Sequence, residues 1–132
     1  MKNKKFKKLW IALSMVVAIL IIFIGGIVVY LSQNPPVTLL IENVDFTTVS
    51  DGIHRGDANN GIIQVEVAVT VTNGRVTDIE ILEHRNGLGG SAEAITDIVI
   101  NEQSLEVDGI ASATYSSNTI LKAIENALLG AE

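Results

Sequence analysis

The sequence predicts an α+β fold, a small antiparallel sheet packed by two amphipathic helices and preceded by one N-terminal transmembrane helix. Three patterns carry this expectation: an uncharged apolar run, a valine alternation with a period of two, and a change to a helical period in the last third of the chain.

The apolar run extends from Leu9 to Leu31, 23 residues without a charge. At 1.5 Å per residue it reaches about 34 Å, enough for a hydrocarbon core of about 30 Å. Lys2, Lys4, Lys5, Lys7 and Lys8 crowd the flank before it, and short basic flanks stay cytoplasmic. The expectation is a single-pass cell-membrane protein, N-terminus inside and C-terminal domain on the extracytoplasmic side. A cleaved secretory signal is the competing reading, but its apolar region is usually about 7–15 residues long and ends at a small-residue site. The segments then read as a basic tail at 1–8, an anchor at 9–31, a stem and linker at 32–50 stiffened by Pro35 and Pro36, and one domain at 51–132.

Every acidic residue lies beyond Pro36, fifteen against Arg55, Arg75, Arg85 and Lys122, which leaves that part with a formal charge of −11. Such a field repels phosphate backbones, so nucleic acid is not an expected partner. The chain has no cysteine, which excludes disulfides, thiolate metal sites and iron–sulfur ligation.

Within the domain, Val65, Val67, Val69 and Val71 alternate with Glu66, Ala68, Thr70 and Thr72, the pattern of a half-buried strand. Asn73-Gly74 is the favoured dipeptide of a type I′ hairpin. The return strand, Arg75 to Glu83, places Ile79 and Ile81 on one face and Leu82 on the other, and Val76 is out of phase with them, as at a bulge. Upstream, Gly52 to Gly56 reads as an edge strand that ends in a turn at Asp57-Ala58-Asn59-Asn60-Gly61. That turn is one residue short of a calcium loop and lacks its terminal Glu. After Gly90 the period becomes helical: Ala92, Ile95, Ile98 and Val99 fit a helix from near Ser91, and Ile120, Ile124, Ala127 and Leu128 one from near Asn118.

Two glycine- or hydroxyl-rich stretches are candidate sites. Gly87-Leu88-Gly89-Gly90-Ser91-Ala92 has the form of a dinucleotide fingerprint, but it follows an antiparallel hairpin where that motif requires a βαβ unit. Asp108-Gly109-Ile110-Ala111-Ser112-Ala113-Thr114-Tyr115-Ser116-Ser117 runs into a helix. Ser116, Ser117 or Asn118 could cap that helix, and the same place suits a phosphate, because first-turn amides are unpaired and small residues allow close approach. His54 and His84 read as strand-end or surface imidazoles, and no catalytic or metal-ligating residue is assigned.

The second stretch resembles the signature of the FMN-binding domain family, the covalently flavinylated domains of sodium-pumping and related membrane oxidoreductases. That signature has the form Asp-x-x-Ser/Thr-Gly-Ala-Thr, matched here by Asp108, Ala113 and Thr114; Ala111 stands at the hydroxyl position and Ser112 at the glycine. The likeness extends from Asp51 through the valine hairpin to Leu128. It implies FMN held by a phosphoester on Thr114, supplied from FAD by a separate magnesium-dependent flavin transferase that recognises Asp108. It also implies a phosphate turn lined by Ser112, Ala113 and Tyr115, with His84, Gly87 and Gly89 bordering the ring system. The implied role is an electron-transfer carrier rather than a complete enzyme, served by a membrane donor such as a quinone or a membrane oxidoreductase. The alternative is a membrane-anchored binding or sensory module with noncovalent flavin or none.

Overall fold

The computed structural model describes residues 2–85 and 89–130. The chain divides into two compact units, 1–34 and 35–132. The first is the helix α1, Lys2–Gln33. Among the described residues α1 is the one helix long and apolar enough to cross a membrane, with a mean hydropathy of 3.0 over its most apolar window.

The second unit contains a three-stranded antiparallel sheet in the order β1 (Gly52–Asn60), β2 (Ile63–Thr72), β3 (Arg75–Arg85), followed by α2 (Ile95–Glu102) and α3 (Thr114–Leu129). The valine face of β2 is as expected, with Val65, Val67, Val69 and Val71 buried, but the other face is only partly open: Thr72 is exposed, Glu66 and Thr70 are half-buried, and Ala68 is buried. Asn73 and Gly74 both have positive φ, 53° and 70°, as a type I′ turn requires. The register slips between Thr70 and Val71, so that Val71 pairs with Val76 and the out-of-phase valine returns to the core. The helices cover the valine face, with Ile95 and Val99 from α2 and Ile120, Ile124 and Leu128 from α3 fully buried against it.

Two expectations are corrected. Asp57 to Asn60 is strand rather than turn, and the chain reverses one step later, at Gly61-Ile62. These polar residues remain in a strand because they alternate. Asp57 and Asn59 face solvent, whereas Asn60 is buried and its side-chain amide pairs with both the N–H (2.8 Å) and the C=O (2.6 Å) of Val37. The last helix begins at Thr114, a full turn before Asn118, and the first follows a 3₁₀ turn at Gly90–Ala94.

The stretch read as stem and linker belongs to the domain from Val37 onward. Residues 37–42 form a strap along α3: the Asn118 amide hydrogen-bonds the backbone N–H and C=O of Leu39, and Glu125 Oε2 accepts from Glu42 N–H at 3.1 Å. Lys122 Nζ donates to Leu40 O at 3.1 Å and to Glu125 Oε1 at 2.8 Å, so the buried carboxylate has both a counter-charge and a backbone donor. Val44, Phe46 and Val49 then enter the core. Between them Asp45 caps a short turn at Phe46–Thr48. The Thr47 hydroxyl and N–H both donate to its carboxylate, which lowers its pKa from the ordinary aspartate range.

Gly56 sets how closely α3 lies on the sheet. A Cβ there would stand 2.3 Å from both Ala123 O and Ala127 N, backbone atoms that cannot rotate away. Gly56→Ala is expected to cost about 1–3 kcal/mol or more by overpacking, read as a lowered midpoint in urea. A chain truncated to 51–132 loses three core side chains worth about 1.5–3 kcal/mol each. Against a typical domain stability of about 5–15 kcal/mol, circular dichroism should show it largely unfolded where 37–132 melts cooperatively.

Candidate functional site

The hydroxyl-rich stretch becomes a turn followed directly by a helix start. Ala113 N–H bonds to Ile110 O at 3.0 Å and closes a turn in which Ser112 has a φ of +65°. A left-handed conformation favours glycine, which explains why the family signature has glycine where this chain has Ser112. Ser117 holds the turn against the helix: its buried hydroxyl accepts from Ile110 N–H and donates to Ala113 O, both at 2.9 Å.

Helix α3 starts without a side-chain cap. The capping position is Ala113, and Ser116, Ser117 and Asn118, which could each have capped, all lie inside the helix. The first intrahelical bond runs from Ser117 N–H to Ala113 O at 2.9 Å, so the amides of Thr114, Tyr115 and Ser116 precede the helical ladder. Such amides, together with the helix dipole, favour an anion. Thr114 and Tyr115 are exposed, and Ser116 is buried beside them.

Thr114 stands between two clefts. On one side a cleft of about 150 Å³ is lined by Ile63, Gly89 and residues 112–116. This brings together Gly89, Ser112, Ala113, Thr114 and Tyr115, five of the residues the resemblance assigns to a cofactor, with Ser116 of the same stretch, and adds Ile63. On the other side a cleft of about 250 Å³ lies between the strap and the 105–109 loop, with Thr38, Ile41, Leu105 and Val107 among its walls. The alternation of β2 marks Ile63 as a core position only, and nothing in the strap's own sequence announces a site.

The remaining predicted residues are elsewhere. Asp108 is exposed and lines a separate depression with Ile98, Glu102 and Glu106. His84 is not a surface imidazole: it pairs opposite Val65 on the core side of the sheet, its side chain is 2% exposed, and Nδ1 lies 3.0 Å from Glu93 Oε1. His54 Nε2 donates to Ser50 O, 2.7 Å away, near the start of β1. Gly87 lies outside the described residues. No cluster of three or more metal-ligating side chains occurs among the described residues.

The α+β unit thus presents an uncapped helix terminus, small residues around it and an exposed threonine at its first position, an arrangement whose free amides favour an anion. The family model described as FMN-binding domain matches residues 59–129, more than half of the chain and including this whole turn. The chain therefore belongs to the FMN-binding domain family. A protein of Treponema pallidum (strain Nichols), described only as an uncharacterized protein, is 24% identical over 83 residues. The match covers 61% of this chain and 23% of that protein, so the chain corresponds to about a quarter of its relative's length. No solved structure matches.

The turn geometry orders the stabilities of Ser112 variants. A β-branched residue is strained at positive φ by about 1–2 kcal/mol more than a small polar one, whereas glycine relieves the strain and adds unfolded-state entropy. Thermal denaturation should rank Ser112→Gly at or above the natural chain and Ser112→Val about 1–2 kcal/mol below it.

Proposed function

We propose that this chain is a membrane-anchored flavoprotein in which Thr114 carries FMN through a phosphoester and the domain passes electrons between partners at the membrane. The observation that carries the reading is the exposed Thr114 hydroxyl at the first turn of an uncapped helix, within the matched FMN-binding domain. An FMN-binding domain behind a helix long enough to cross a membrane fits a membrane-anchored flavin domain.

The residues present fit the phosphate. The amides of Thr114, Tyr115 and Ser116 supply donors, and Ser112 and Ala113 are small enough to leave them accessible. In the attachment step Thr114 Oγ would form a bond to the FMN-side phosphorus of FAD while the pyrophosphate bond to AMP breaks. AMP leaves and the hydroxyl proton passes to solvent or to the transferase. Once bound, flavin supplies one- or two-electron transfer, and the chain's own tasks are to hold it and to exclude water from one side of the ring. The lysines before Leu9 support a cytoplasmic N-terminus, which puts the flavin domain on the extracytoplasmic side. There a covalent link prevents loss of a cofactor that is not replenished. A flavin transferase and a membrane donor, a quinone or an oxidoreductase, are the partners this requires.

Coexpression of the full chain with a flavin transferase should give a band that fluoresces as flavin after denaturation and a mass increase of one FMN residue. Thr114→Val should abolish both while its circular dichroism spectrum is unchanged and its stability stays within about 0.5 kcal/mol of the natural chain, the usual range for an exposed substitution. A colourless natural chain under these conditions refutes the covalent reading.

A further inference from the structure

We infer that the strap is a lipid-contacting surface, on which Val37 and Leu40 seat the domain in the interfacial layer of the bilayer. The inference rests on α1 as a membrane anchor and adds which face of the domain meets the lipid.

The strap combines open apolar side chains with a backbone pinned by the rest of the domain. Leu40 is 87% exposed, more than any other large apolar side chain among the described residues, those of α1 included, and Val37 is 55% exposed. Beneath them, Asn60 pairs the N–H and C=O of Val37, and Asn118 pairs those of Leu39. Lys122 donates to Leu40 O, and Glu125 accepts from Glu42 N–H. Pro35 and Pro36 have no N–H to satisfy. Irregular backbone ordinarily stays in water because its polar groups need partners, and near lipid it is tolerated only where the protein supplies them. The strap meets that condition on both sides of Leu40. Its apolar side chains can therefore enter a poorly hydrated layer without stripping water from the Leu39 amide or the carbonyls of Leu39 and Leu40.

The chain also keeps the strap close to the bilayer. Leu31 ends the apolar run, and Val37 follows six residues later. Ser32 and Gln33 continue α1 and add about 3 Å, and the four steps from Gln33 to Val37 add at most about 14 Å when fully extended. Val37 thus stays within about 17 Å of the hydrocarbon, whose polar border is itself about 5–7 Å deep. Two apolar side chains bind a membrane weakly by themselves, but over a tether this short the contact is intramolecular and its effective concentration is high. The contact is apolar rather than electrostatic, because a domain carrying −11 is not drawn to an anionic leaflet. Since Asn118, Lys122 and Glu125 hold the strap, the seat turns their side of α3 toward the lipid. Thr114 lies four residues before Asn118, about 6 Å along the helix, so the helix start stands near the membrane surface.

Trp10 is the only tryptophan, and Trp10→Phe provides a silent background for a reporter. In the full chain reconstituted in phosphatidylcholine nanodiscs, Leu40→Trp should emit further to the blue than Ile53→Trp, a 69% exposed site on β1. Brominated acyl chains should remove about half of the Leu40→Trp emission and leave that of Ile53→Trp unchanged. Adding Val37→Ser should lower the ratio of seated to free domain about tenfold, and raising salt from about 0.1 to about 1 M should not. In the natural chain, saturation of the lipid acyl protons should attenuate the methyl signals of Val37 and Leu40 and spare Ile53. Equal emission and quenching at the two reporters overturn the seat, as does its loss at high salt, which assigns the contact to charge. A blue-shifted Leu40→Trp that brominated chains do not quench overturns it too, in favour of a second copy of the chain on the strap. Carbonate extraction tests the anchor separately. A chain that is extracted overturns the anchor and the seat together, whereas an embedded chain with an unquenched reporter overturns the seat alone.

Discussion

The close approach of α3 to Gly56 is the contact on which the rest of the domain depends. Ala123 and Ala127, one helical turn apart, straddle a strand residue with no side chain, and helix backbone meets strand backbone there. A slip of the helix by one residue would bring Ile124 or Leu128 onto Gly56, where there is no room for either. Rotation and axial position of α3 are fixed together. Thr114 lies nine residues before Ala123 in the same rigid helix, about 14 Å along its axis, so the helix start is positioned by packing that is remote from it.

A second device recurs in the domain. Three side-chain amides stand in for neighbouring strands, each pairing with both the N–H and the C=O of one residue: Asn60 with Val37, Asn118 with Leu39, and Gln103 with Val76. They pair backbone groups that no neighbouring strand reaches. Along α3 the spacing is matched. Asn118 and Glu125 are seven residues apart, about 10.5 Å in a helix, and hold Leu39 and Glu42, three residues apart and about 10 Å in extended chain. An extended strap and a helix thus share a repeat over this length, and the strap can run beside α3 with its polar groups paired.

These devices explain what was and was not legible beforehand. The hairpin, its turn and the Val76 bulge follow from a period of two and one dipeptide, all local signals. The turn before α3 is legible as a motif because its residues are contiguous. The strap was not, since its partners are Asn118, Lys122 and Glu125, about eighty residues away, and two prolines before it read as a stem. Asn60 looked like a turn residue for the same reason: its role comes from Val37, and composition alone cannot show that pairing. The start of α3 carries no local mark, because Ala113 is no capping residue and capping residues are the usual marker of a helix start. Nothing local marks His84 as buried, because the shifts in the β3 register that turn it inward opposite Val65 arise from strand pairing.

The missing cap bears on how a phosphate could be retained. Leaving Ala at the cap forgoes about 1 kcal/mol, and Ser112 at positive φ costs a comparable amount. Two local sacrifices at adjoining residues mark a place where stability gives way to something else. Yet the anion site they create is weak in isolation. Among the described residues no Lys or Arg lines either cleft beside Thr114, a helix terminus contributes only about 0.3–1 kcal/mol toward a nearby charge at an exposed site, and the domain around it carries −11. Dipoles of that size orient a phosphate but do not hold it against the repulsion of so acidic a domain. The covalent bond to Thr114 proposed above would remove the need for affinity and leave the amides the task they can perform, which is to fix the direction in which a cofactor leaves the helix.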